Sequence, residues 1–79
     1  MTEYAAVEIG LCAYLICKGH RISEVRHSRD NPRRFECVFL GDVKPDVLDY
    51  YQGATVVAKD FNRAAVEINA MIREARRND

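Results

Sequence analysis

Neither sign of charge prevails in this 79-residue chain, where twelve Lys and Arg balance twelve Asp and Glu. That balance argues against a generic polyanion binder and equally against an acidic decoy of DNA. Long apolar runs are missing too. The longest, residues 9–17, is interrupted by Gly10 and falls far short of a bilayer span, so no membrane partner is expected. No secretory leader is legible, because acidic Glu3 sits where such a leader needs basic residues. Cysteine is sparse. Cys12, Cys17 and Cys37 are odd in number and lie in apolar contexts, which predicts reduced, buried thiols in a cytoplasmic protein, with no disulfide framework. The only serines, Ser23 and Ser28, are not in a nucleophile-elbow sequence. Phosphate-loop and dinucleotide fingerprints are absent as well. An enzyme is therefore not expected, and no cofactor is implied.

What is present reads as one small globular domain. An apolar fraction of 48% is ordinary, and 79 residues are close to the size at which one core just suffices. Two stretches open alike. Tyr4-Ala5-Ala6-Val7-Glu8-Ile9 leads into one apolar run, and Val56-Val57-Ala58-Lys59-Asp60-Phe61 leads into another. Each predicts a short strand followed by a helix with an acidic residue near its start.

The first helix is expected over residues 7–18. Ile9, Cys12, Ala13 and Ile16 form one stripe on it, with Leu11 and Leu15 beside them. A helix so apolar must be covered on more than one side. Gly10 costs about 1 kcal/mol against Ala in a helix interior, which predicts close approach by another backbone. Gly19 suits a left-handed cap.

Residues 21–27 and 33–40 predict two strands. Phe35, Cys37 and Phe39 alternate with Glu36 and Val38, whereas Ile22 and Val25 fall out of phase, as at a bulge. Between them, Ser28-Arg29-Asp30-Asn31-Pro32 is turn chemistry, giving a hairpin.

A short helix follows over residues 44–51, with Pro45 in its first turn, Val47, Leu48 and Tyr51 inward, and Gly53 as its stop. Residues 54–57, rich in β-branched side chains, predict a further strand. The last helix, residues 59–76, has Phe61, Ala65, Ile68, Ile72 and Ala75 as its buried stripe, and residues 76–79 are expected to fray. The expected fold is thus α+β, a small two-layer domain in the order β-α-β-β-α-β-α.

Several constellations carry chemistry. Between Lys18 and Arg34 six basic residues face only Glu24 and Asp30, and Arg26, Arg29, Arg33 and Arg34 cluster around the turn. Such a tip can press guanidinium groups onto phosphates or dock on an acidic protein surface. It can equally be a solvated turn that keeps edge strands apart. Cys17, His20, His27 and Cys37 are donors that suit zinc, but they lack a paired knuckle, and no metal is expected. Cys17 near His20 is a thiol–imidazole pair without a third, orienting group. Asp42, Asp46 and Asp49 make an acidic patch without calcium-loop spacing. Of Tyr50 and Tyr51, one ring should cap the core and the other lie near the surface, and Tyr50 is the weaker addition to the binding set.

The run Glu8-Ile9-Gly10-Leu11-Cys12-Ala13-Tyr14-Leu15-Ile16-Cys17-Lys18-Gly19-His20 resembles the start of a small bacterial and phage domain of unknown function. Phe35-Glu36-Cys37-Val38-Phe39 stands where that family has a Phe-x-Phe strand, and Tyr50-Tyr51-x-Gly53 and Asp60-Phe61 also fit its pattern. The chain departs at Ala6 and Ala58, where the family tends to place a capping side chain, so Glu8 and Asp60 must support those helix starts. The resemblance implies an α+β fold and a phage or mobile-element setting, and it implies no activity.

The residues together predict a non-enzymatic binding module, contacting another protein through the basic hairpin. The residues concerned are Arg26, Arg29, Arg33, Arg34 and Tyr50. Nucleic-acid binding by the same hairpin, or a structural homodimer, are the other readings.

Overall fold

In a computed structural model, which describes residues 2–78, the chain is α+β. Its elements are β1 (Glu3–Ala6), α1 (Ile9–Cys17), β2 (Ile22–His27), β3 (Phe35–Leu40), α2 (Lys44–Tyr51) and α3 (Ala58–Arg77). The three strands form one antiparallel sheet in the order β1-β3-β2, so the hairpin's second strand is central. The opening strand pairs with β3, Ala6 lying opposite Cys37 and Tyr4 opposite Phe39.

One expected element is missing. Residues 54–57 do not form a strand: they are exposed and join no ladder, so the order is β-α-β-β-α-α. The lead-ins to the two helices are alike in sequence, yet only the first finds a strand partner. β-Branched residues favour a strand only when a neighbouring strand is there to pack against, and β3 already has one on each side.

The hairpin behaves as its pattern predicts. Phe35, Cys37 and Phe39 are all buried on the helix side. Between Ile22 and Glu24 the register of β2 slips by one residue, with Ile22 opposite Phe39 and Glu24 opposite Val38. Ser23 is the extra residue, and its hydroxyl donates to the Val38 carbonyl at 3.2 Å. The bulge turns both Ile22 and Val25 toward the core, against which they are partly buried.

Helix α1 is the hub. Leu11, Cys12, Ala13, Tyr14 and Leu15 are all buried, since the helix is enclosed by the sheet, α2 and α3. It ends at Gly19, φ 96°, whose N–H bonds the Ile16 carbonyl while the His20 N–H bonds that of Leu15. The same paired bonds recur after α2, where Gly53 and Ala54 donate to Tyr50 and Asp49. Both helices thus close in the Schellman arrangement, with glycine at the left-handed position. Glu8 does not cap α1 through its side chain. That carboxylate instead accepts a hydrogen bond from the Tyr51 hydroxyl at 3.1 Å.

Two inward assignments on α2 are corrected. Val47 is buried, but Leu48 and Tyr51 are 62% and 59% exposed. The inward stripe is Val43, Val47 and Tyr50, spaced i, i+4, i+7. Nor does a backbone approach Gly10: a Cβ there would meet the Tyr50 hydroxyl at 2.5 Å. On α3 the fully buried positions are Ala64 and Ile68, flanked by half-buried Phe61, Ala65 and Ile72. The helix continues through Arg77 without the expected fray, and Asp79 lies outside the described residues. Among the described residues, no helix is long and apolar enough to cross a membrane.

Candidate functional site

The hairpin turn is built by short-range hydrogen bonds that turn chemistry provides. Ser28 N–H donates to the Arg34 carbonyl at 2.8 Å, and Arg34 N–H donates to that of Asn31 at 2.9 Å. The Asn31 side chain accepts from Arg33 N–H at 3.1 Å, and the Ser28 hydroxyl accepts from Asp30 N–H at 3.3 Å. His27 Nδ1 lies 2.7 Å from the Pro32 carbonyl oxygen. A carbonyl can only accept, so that nitrogen carries the proton. The His27 ring also stacks on Phe35, centroids 4.6 Å apart. The turn is thereby fixed and holds Arg29, Arg33 and Arg34 in solvent.

The four arginines of the turn do not act together. Arg26 points onto the sheet face away from the helices, where Glu3, Glu24 and Glu36 meet it at 3.6, 3.1 and 2.8 Å. This span from β2 to β1 carries its side chain over the central strand, where Val38 is fully buried and Glu36 nearly so. The hydrogen bond to Glu36, with the charges of Glu36 and Glu3, holds the Arg26 guanidinium above its ordinary range. Arg26 is thus already neutralised. Arg29 borders a hollow of about 360 Å³ on that same face, lined also by Glu3, Asp30 and Glu36.

Arg33 and Arg34 turn the other way. They border a groove of about 240 Å³ between the hairpin and the C-terminal half of α3. Its floor is Val7, Ile9, Phe35 and Ile72, and α3 adds Asn69 and Arg76. The Arg76 guanidinium lies 5.8 Å from the Phe35 ring centroid, within cation–π range. Among the described residues, none of Arg29, Arg33, Arg34 and Arg76 has a carboxylate within 4 Å. Arg76 is the residue that a reading of the hairpin alone misses. Only its spacing from Ile68 and Ile72, at i+8 and i+4 along one helix face, signals that it shares their side.

Tyr50 is not part of this surface. Its ring packs beside Tyr14, centroids 5.6 Å apart, and its hydroxyl abuts Gly10. The exposed tyrosine is Tyr51, whose phenol is held above its ordinary range by partial desolvation and by the Glu8 carboxylate.

The remaining constellations fall apart in space. His20 Nε2 sits 2.6 Å from the Asp46 carboxylate and ties the end of α1 to α2. No hydrogen bond joins His20 to Cys17, and the two line different hollows. Among the described residues, no three His, Cys, Asp or Glu side chains gather where a metal ion could be held. Cys12 and Cys37 lie in the core as free thiols. The neighbouring Cys37 thiol, and then burial, hold Cys12 well above the usual thiol range, and its Sγ donates to the Ala6 carbonyl at 3.6 Å.

No family model, no curated protein and no solved structure matches this chain.

Proposed function

We propose that this protein is a small non-enzymatic module that binds another protein through the basic end formed by its hairpin. The observation that carries this reading is the set of exposed arginines, Arg29, Arg33 and Arg34, none with a carboxylate partner among the described residues. Desolvating a charge is costly unless an opposite charge meets it. Guanidinium groups held ready on a fixed turn therefore favour a partner that brings carboxylates. The acidic patch around α2, with Asp42 and Asp49 exposed, gives the surface both signs of charge and so a preferred docking orientation. The resemblance of residues 8–20 and 35–39 favours an accessory role in a phage or mobile element.

A nucleic-acid partner would use the same arginines. It is the weaker reading because the formal net charge of zero gives little general attraction to a polyanion. The test is a pull-down comparing wild type with an R29A/R33A/R34A variant whose circular dichroism spectrum matches wild type. Loss of a specific protein partner is expected. Equal recovery removes the hairpin from the proposal, and a gel shift that weakens steeply with salt would replace the protein partner with nucleic acid.

A further inference from the structure

Resting on that reading, we infer that the groove between the hairpin and α3 is the seat of the partner, and that it takes an acidic segment carrying one large apolar side chain. Two hollows flank the hairpin, and they differ in charge. The one on the open sheet face sets Glu3, Asp30 and Glu36 against Arg26 and Arg29, so its lining offers an acidic chain no excess of positive charge. The groove on the other side has three arginines and, among the described residues, no carboxylate in its lining.

Its shape narrows the partner further. Phe35, Ile9 and Ile72 give the groove an apolar floor, and about 240 Å³ is room for a single inserted side chain, just under the smallest usual small-molecule pockets. Arg33, Arg34 and Arg76 rim that floor, where planar guanidinium groups pair with flanking carboxylates in bidentate fashion. Asn69 offers an amide donor and acceptor to the backbone of an extended segment. An apolar anchor inside a charged rim is the anatomy of a protein contact. A nucleic acid would leave the apolar floor unused.

The full chain, labelled with ¹⁵N, is titrated with a ten-residue probe peptide of Asp and Glu around one central Phe. A second peptide has Ser at that centre. The expected result is amide shifts clustered at Ile9, Phe35, Asn69, Ile72 and Arg76, with at least tenfold weaker binding of the Ser peptide. R76Q, an exposed change that should leave the fold intact, is expected to weaken the Phe peptide at least threefold. Equal binding of the two peptides, no binding of either, or shifts that cluster elsewhere overturn the inference. So does displacement of the Phe peptide by a single-stranded DNA of equal charge. If the peptides fail while R29A/R33A/R34A still loses its partner, only the groove falls. If that variant keeps its partner, the broader reading falls as well.

Discussion

At Gly10 two effects oppose each other. Alanine in a helix interior is favoured over glycine by about 1 kcal/mol, but the added Cβ would stand 2.5 Å from the Tyr50 hydroxyl. Tyr50 is hemmed in by Tyr14 and Tyr51, and overpacking typically costs about 1–3 kcal/mol, so Gly10→Ala should destabilise in urea unfolding. In a Tyr50→Phe background the nearest atom recedes to the ring carbon at 3.5 Å, and the same change should become neutral or stabilising. A stabilising Gly10→Ala in the wild type would show that Tyr50 does not press there. Arg26 gives a second residue-scale prediction. Glu36 is buried and its charge is met by Arg26, so Arg26→Met should lower the unfolding midpoint, and adding Glu36→Gln should restore part of the loss. Strict additivity in that double-mutant cycle would mean the pair is uncoupled. The role of Arg26 was not legible in its own segment, where it read as one more basic residue of the turn. Its place on β2, opposite Glu36, gave it a carboxylate partner that Arg33 and Arg34 lack among the described residues.

At the scale of elements, α3 is where periodicity spoke most plainly. Ile68→Ala should cost about 2–5 kcal/mol, because Ile68 is fully buried between α3 and α1. Val66→Ala, at a position 58% exposed, should change stability by less than about 0.5 kcal/mol. Comparable losses at the two sites, read from denaturant midpoints, would mean the stripe faces elsewhere. The start of α3 was less legible, since Val56 and Val57 promised a strand. In the structure Val57 has φ −72° and ψ 118°, a conformation that proline tolerates in the residue before it, and Ala58 opens the helix. Ala58→Pro should therefore be accepted and can stabilise by about 0.4–1 kcal/mol. A loss near 3 kcal/mol, the cost of proline inside a helix, would place the helix start earlier. Helix α2 teaches the same lesson. Its eight residues are too few for a periodic pattern to fix which side turns inward, so Leu48 and Tyr51 were expected where Val43 and Tyr50 are found.

At the scale of the whole molecule, zero net charge conceals a separation of signs. Arginines gather at the hairpin end, carboxylates crowd Arg26 on the open sheet face, and aspartates mark α2. A neutral total predicts weak adhesion to polyanions, so the protein should pass through a heparin column at about 0.15 M salt. Strong retention there would favour nucleic acid over an acidic protein. Light scattering should report 9.0 kDa across concentrations if the partner is a different protein, whereas a doubled mass at high concentration would return the homodimer reading. The strands of the hairpin, the span of each helix to within two residues, and the two glycine stops were all written in the sequence. Those features depend on alternation, helical period and left-handed glycines, which act between neighbours in the chain. What tertiary structure alone decided is which lead-in becomes a strand and which arginine meets a carboxylate within the described residues. Both are questions of what lies alongside, and the answers sit dozens of residues away in Glu3, Ala6, Phe39 and Arg76.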